Sequence, residues 1–559
     1  MAWFSSVPIV DVHRDNFESI WPSIIVAIRN SSFVALDAEL SGLGPRKNLM
    51  LRSFDERYQA LREVAKSHSI LSLGLSCFKV VKGDNDPDDL CAAGKPLGFQ
   101  VQTYNITLLC NEDYVVEPVA LRFLVEHAFD FNKQYSQGVS YYRGVDKVDD
   151  KDTCSPRILF SELIVSNVPI ILHNGLIDLA FLYQNLYSNL PPKASQFICD
   201  MCEMFTGGVL DTKYVADFEV RMVASYLEYV FRSCQRNNAR LCHEGKPYIT
   251  VEFQSFPKDS PFVEYHNCAL PKSIIDGIPS KAPENVCEQY AAHGHCVKGM
   301  QCPKSHVADD ILDEEEFKLV ARKKRRNQKK RERRRKRSHQ GGDDRQQGSQ
   351  SGEPEMKIRC EDNMEDGCHG DVERNGEDDD FEDDEQDISA DADEDSRTDK
   401  EMSDTVSQDG VSVSDQNKEA NSSEQTVQTR DSDVDMSKST DSSESKKVLG
   451  SVVGNVNGSS INSAGDSHLK PKYAGCHRAG FDAFMTGFAM ATFVSQHGRV
   501  PSSADIPSIG ASFVEFYALE ELVNKLYLGG KDVPLQITKS HFSKPSVTHR
   551  EKMKRLGKL

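Results

Sequence analysis

The sequence predicts an α/β fold with a mixed sheet, interrupted by a long polar insertion, and three observations carry that expectation. Apolar runs of strand length, separated by turn signals, fill residues 1 to about 235. Among them 33–39, 70–78 and 101–109 read as a strand meander, after which strand and helix alternate. A strongly apolar helical segment, FDAFMTGFAMATFV, returns only within 472–497 and reads as a late piece of the same domain.

Taken in order, PIVDV (8–12) is a short strand and 15–30 an amphipathic helix with Asp15 as candidate N-cap, in which Pro22 should end or kink one turn. Strand 33–39 and helix 55–67 follow, then the other two meander strands around a long loop at 82–98. A polar loop at 132–155 leads back to helix. VPIIL (168–172) is a buried strand, joined to helix 176–187, strand-like GVLDTKYVA (208–216) and helix 218–235. The expected organisation is a domain's first part at 1–240, a connector at 241–280, a Cys/His module at 281–310 and a basic helix at 311–340. An acidic linker at 341–468, the domain's final part at 469–535 and a C-terminal tail at 536–559 complete it. No internal repeat is visible.

Charge is distributed unevenly over the 559 residues. Residues 341–450 hold 35 acidic against 11 basic side chains, too much charge and too few hydrophobes to fold, so this stretch is expected to be disordered. Residues 322–337 hold 13 basic and one acidic residue. The rest of the chain is mildly acidic, so attraction of a polyanion must rest on local patches. The N-terminus has no signal-peptide pattern, and no apolar stretch approaches the ~20 residues that span a bilayer. The expectation is a soluble, intracellular protein with no membrane partner. Fifteen cysteines, an odd number scattered through apolar segments apart from one cluster, suit reduced thiols. Cys199 and Cys202 lie in what reads as strand and are expected to be core thiols.

In FVALDAELSG the period of two places Asp37 and Glu39 on one face of a strand and Val34, Leu36 and Leu40 on the other. Paired carboxylates are costly to hold without a cation, and oxygen ligands suit magnesium or manganese. Asp178 is a single acid one turn into an otherwise apolar helix, where burial without a partner is expensive. His477 precedes a glycine-marked turn and Asp482 starts the late apolar helix, so both could face one cleft.

Asp-x-Glu on a first strand, Asp at a strand-turn-helix and His-x4-Asp at a late helix together resemble the DEDD exonuclease superfamily in its histidine subtype. The tyrosine subtype would need Tyr at 478, which is Arg. The stretches DNFESIWPSIIVAIRNSSFVALDAELSGL, ERYQALREVAKSHSILSLGLSCFK, VLDTKYVA and HRAGFDAFMTGF are similar to poly(A)-specific ribonuclease and its deadenylase relatives. The resemblance spans roughly 7–235 and 470–530. It implies a ribonuclease H-like exonuclease fold, two divalent ions and 3′→5′ removal of adenylates from single-stranded RNA. By the same resemblance Asp37 bridges both ions, Glu39 and Asp482 complete the water-activating one, Asp178 supports the second and His477 is the general base. Adenine preference comes from the resemblance alone. Two other readings remain: a nuclear RNA-binding adaptor on a degenerate nuclease scaffold, and a DNA 3′→5′ exonuclease.

Cys287, Cys296, Cys302 and His306 have the spacing C-x8-C-x5-C-x3-H, a complete tetrahedral set for one structural zinc. The spacing is that of CCCH zinc fingers, which mostly bind single-stranded RNA. Tyr290 is the only aromatic residue between the ligands, so the finger is expected to add RNA affinity without reading sequence, or else only to brace the insertion. The run formed by Arg322, Lys323, Lys324, Arg325, Arg326, Lys329, Lys330, Arg331, Arg333, Arg334, Arg335, Lys336 and Arg337 extends a helix and is expected to be a nuclear localisation signal, compatible with phosphate binding. The expected substrates are nuclear RNAs with 3′ adenylate tails, including small non-coding RNAs.

Overall fold

The computed structural model describes residues 3–81, 96–147, 153–257, 260–276, 285–340, 478–498 and 513–558, without the side chains of Met300 and 333–340. The described elements belong to one compact unit drawn from 1–344 and 466–559. The acidic linker expected at 341–468 and the candidate base His477 lie outside the described residues.

An 11-stranded mixed sheet organises this unit. The meander is β2 (Phe33–Leu40), β3 (Ile70–Val81) and β4 (Leu97–Cys110), paired antiparallel in that order, after β1 (Ser6–Val12). β4 is long enough to take three parallel partners along its free edge: β1, β5 (Val139–Tyr141) and a later strand. On the other side β2 pairs with β6 (Ile170–Leu172), which pairs with β7 (Val209–Asp211), both parallel. The expected connector supplies β8 (Ile249–Phe253), parallel to β4, and β9 (Val263–Asn267), antiparallel to β1, so it completes the sheet. β10 (Lys525–Leu526) and β11 (Leu535–Gln536) close the far edge beyond β7.

Strand periodicity divides the core between the two faces. Val34, Leu36, Leu73, Leu75, Tyr104 and Ile106 bury one face against α1 (Phe17–Asn30), α2 (Phe54–Ser67), α3 (Leu176–Leu182) and α4 (Ala194–Met204). Phe33, Ala35, Phe78, Phe99 and Val101 bury the opposite face against α5 (Leu227–His243) and, after α6 (Ala308–Gln340), against α7 (Ala479–His497). Residues 479–494 of α7 are buried almost all round, which is why the segment reads as uniformly apolar.

Several local expectations are corrected. Asn16, not Asp15, is the N-cap of α1, and Pro22 sits inside a continuous helix because it lies on the exposed face. Helical turns occupy 131–137 in the expected polar loop. The strand at 209 stops after three residues, because the Asp211 carboxylate accepts the Lys213 N–H and turns the chain into helix at Thr212. The helix expected at 218–235 starts only at Leu227, after Arg221 adopts a positive φ of 56°. Cys199 and Cys202 lie on α4 rather than a strand, although Cys199 is a buried core thiol as expected. The segment 536–558 is no loose tail: its helix α8 (Val547–Arg555) buries His549 and Met553 against the domain.

Candidate active site

Asp37 and Glu39 project from the end of β2 on the face covered by α7, where Phe33 and Ala35 precede them. Asp482 comes from the first turn of α7 and is only 5% exposed. The three residues offer carboxylate oxygens that all lie within 4.8 Å of one another. Close approach of α7 to the sheet makes this possible. Gly74 stands directly opposite Asp37 on β3, and a Cβ there would lie 1.8 Å from the Ala479 carbonyl oxygen. Gly480 rests on β4 in the same way, its N–H donating to Asn105 Oδ1 at 3.1 Å.

Asp178 joins the group from the first turn of α3. The backbone N–H groups of Asp178 itself and of Ala38, the residue between Asp37 and Glu39, favour its ionised form. Burial above all, and then Asp211, push its carboxyl up to about 7. Burial likewise holds the Asp37 carboxyl well above the usual range, with Asp482, Asp178 and Glu39 adding repulsion in that order. Four acids that disfavour one another's charge in a desolvated pocket form a donor set suited to hard divalent cations.

Asp211 was missed as part of this site. It is fully buried and accepts four backbone N–H groups: Asn174 at 2.8 Å, Gly175 at 3.3 Å, Lys213 at 3.0 Å and Tyr527 at 3.0 Å. It thereby fixes the turn, with Asn174 at φ 62°, that launches α3 and aims Asp178. The signal was present in VLDTKYVA: a lone acid in an apolar strand, the same argument that singled out Asp178. A described histidine also faces Asp482. His266 on β9 stacks on Phe481 with ring centroids 5.1 Å apart, its pKa lowered by burial and raised in part by Asp482.

The second candidate group is also assembled. Cys287, Cys296, Cys302 and His306 are all buried, with ligand atoms within 4.8 Å of one another. Lys298 and Gly299 N–H groups help hold the Cys296 thiol below its ordinary pKa, whereas burial pushes the Cys287 thiol up. Three sulfurs and an imidazole in that space fit a structural zinc. Tyr290, however, is not free for a base. Its ring stacks on His306 at 4.4 Å, meets Tyr226 edge-on at 5.7 Å, and its hydroxyl donates to Glu228. Beyond the module the acidic start of α6 clamps α5: Arg236, with a side chain 2% exposed, pairs with Asp309 at 3.0 Å and Asp313 at 2.7 Å. Past that clamp the basic residues of α6 from Arg322 to Arg331 are exposed. No helix among the described residues is long and apolar enough to cross a membrane.

A mixed sheet with acids converging from β2, α3 and α7 has the arrangement of a DEDD-type nuclease site. The sequence matches the model of the CAF1 family ribonucleases over residues 12–154 and 146–490, and the chain belongs to that family. It is similar to human poly(A)-specific ribonuclease PARN, 30% identical over 139 residues, 24% of this chain and 21% of that protein. It is also similar to the pre-piRNA 3′-exonuclease trimmer of Bombyx mori, 26% identical over 141 residues, 25% of each. The chain thus spans between a fifth and a third of the length of the curated relatives it matches. Among solved structures it is similar to Schizosaccharomyces pombe Pop2p in an Mg2+- and Mn2+-bound form, at 22% identity and TM-score 0.31, over 41% of this chain and 82% of that one.

Proposed function

We propose that this chain is a metal-dependent 3′→5′ exoribonuclease that removes adenylates from RNA 3′ ends in the nucleus, small non-coding RNAs among its substrates. The observation that carries the reading is the convergence of Asp37, Glu39 and Asp482 within 4.8 Å, with the half-buried Asp178 near enough to repel Asp37. Family membership and relatives named as a poly(A)-specific ribonuclease and a 3′-exonuclease support RNA ends as the substrate. Bound divalent ions supply water activation and charge stabilisation at the leaving 3′ oxygen. Asp37, Glu39 and Asp482 hold them, Asp178 supports them from α3, and Asp211 keeps α3 in place. His477 takes the proton of the attacking water, a role suited to a side chain that titrates near neutrality. The basic run of α6 addresses the protein to the nucleus, and the zinc module braces its docking on α5.

The decisive experiment offers purified protein matched oligonucleotides with 3′ A, U and C tails, as RNA and as DNA, with and without magnesium. Magnesium-dependent shortening of the A-tailed RNA, abolished by Asp37→Ala and Asp482→Ala with the fold retained, is expected; no shortening of any RNA would sink the proposal. His477→Ala should slow cleavage while metal binding persists. Deleting 322–337 from a fluorescent fusion should abolish nuclear accumulation, and an unaltered distribution would remove the localisation role. Loss of the protein should lengthen 3′ tails on nuclear RNAs, as read by 3′-end sequencing.

A further inference from the structure

Beside the carboxylates lies a small recess in which two polar atoms, the Asn105 amide nitrogen and the Thr107 hydroxyl, make no hydrogen bond among the described residues. Two rows of paired residues run across the central strands: Asp37, Gly74 and Asn105 in one, Glu39, Ser72 and Thr107 in the next. Paired residues share a face, and strands lie about 4.8 Å apart, so Asn105 and Thr107 stand roughly 10 Å across the sheet from the metal-binding acids. With Ser72, Lys133 and Arg478 they line a recess that admits about one water-sized group.

Ser72 is 1% exposed, Asn105 4% and Thr107 6%, so these are built-in groups and not surface decoration. Asn105 Oδ1 accepts both the Gly480 N–H at 3.1 Å and the Ser72 hydroxyl at 3.2 Å. Because a backbone N–H can only donate, the amide orientation is fixed, and the Asn105 amide nitrogen makes no hydrogen bond among the described residues; neither does the Thr107 hydroxyl. Both atoms stay open to the recess and are not sealed in the core, so a guest there can pair with them. The recess is not an anion site. Lys133 and Arg478 both pair with Asp11, Arg478 pairs also with Glu264, and Asp130 lies alongside. A neutral group that both accepts and donates suits this lining, and a sugar hydroxyl is such a group.

We propose that this recess is a ribose-hydroxyl subsite, in which Asn105 and Thr107 take the 2′-hydroxyl of the 3′-terminal nucleotide. The proposal rests on the exoribonuclease reading above and deepens it, since the 2′-hydroxyl is what separates RNA from DNA at a given position. The subsite acts on the nucleotide whose 5′-side phosphate is cleaved, so discrimination falls on the last residue and not on the body of the strand. Asn105 has a second task, positioning Asp482 through Gly480, and its replacement would disturb both; Thr107 separates them.

The test compares two 5′-labelled oligo(A) RNAs that differ only in a ribo or 2′-deoxy 3′-terminal nucleotide. Rates of the first cleavage in magnesium and binding in magnesium-free buffer, read by fluorescence anisotropy, are measured for wild type, Thr107→Val and Thr107→Ser. Wild type is expected to favour the ribo end by roughly tenfold. Thr107→Val, which exchanges the hydroxyl for a methyl of the same size, should bring that ratio to about one, while Thr107→Ser, which keeps the hydroxyl, should preserve most of it. A wild type that treats both ends alike overturns the subsite, and so does a folded Thr107→Val with the wild-type ratio. If wild type trims neither RNA, the exoribonuclease reading fails by itself; equal binding of the two ends then rejects the subsite as well, and a ribo preference lost in Thr107→Val upholds it.

Discussion

Gly74→Ala asks how closely α7 must lie on the sheet for the acids to meet. The new methyl carbon would stand 1.8 Å from the Ala479 carbonyl oxygen, 2.1 Å from its carbon and 2.6 Å from the Gly480 nitrogen. All three are backbone atoms, so no side chain can swing aside, and the start of α7 must retreat by roughly 1.5 Å to reach ordinary contact. Asp482 lies one turn further along the same rigid helix and moves with it. Overpacking of this kind costs about 1–3 kcal/mol, less than the roughly 5–15 kcal/mol that keeps a domain folded. The chain should therefore remain native at 25 °C with a lowered melting temperature. A misplacement of about 1 Å in a reacting group can reduce a rate about 100-fold, so single-turnover trimming of 5′-labelled oligo(A) should fall by about that factor. Isothermal titration with manganese should show weakened binding in parallel. A variant that melts near wild type and trims within about threefold of its rate would refute the claim that Gly74 sets the position of Asp482.

Other expectations follow from the same geometry. Asp37 and Asp178 are held above the ordinary carboxylate range by burial, Asp178 at about 7, so the folded chain binds more protons than the unfolded one between about 4 and 7. Stability without magnesium should therefore fall as pH rises through that window; a melting temperature that climbs instead would contradict it, and Asp178→Asn should flatten the slope. Arg236→Met leaves Asp309 and Asp313 beside a buried apolar side chain and should cost about 3–5 kcal/mol in chemical denaturation, a loss under about 1 kcal/mol counting against the clamp. Tyr290→Ala should lower the thermal stability of the zinc-loaded protein while leaving RNA affinity within about twofold, since the ring is already stacked on His306; a base-stacking tyrosine would instead cost about 1–3 kcal/mol of binding.

The meander, the alternation after it and the late helix were legible because each rests on a short-range period. Strand alternation at 33–40 sorts Val34 and Leu36 from Asp37 and Glu39, and both sets lie on the faces the period assigns. The connector was not legible in this way. β8 and β9 are half-exposed edge strands whose place is set by the free edges of β4 and β1, far away in sequence. The docking of 536–558 was hidden for a related reason. Its helix is largely charged, and it holds through single buried groups such as His549 against Tyr187 and Lys552 against Asp146.

For the site, the sequence by itself determined which residue types are available and in what order: an Asp-x-Glu pair, a lone acid after a turn, a His-x4-Asp and a Cys3His set. Spacing along one strand or one loop is local geometry, and local geometry can be read from residues. Only the tertiary structure decided that Asp482, 445 positions after Asp37, shares its pocket, because that meeting depends on two glycines letting α7 lie on β3 and β4. It also decided that Asp211 buttresses Asp178, that Tyr290 is spent on packing, and that Asn105 and Thr107 face a recess beside the acids. Each of these is a contact between segments remote in sequence, fixed by which surfaces the hydrophobic faces bring together.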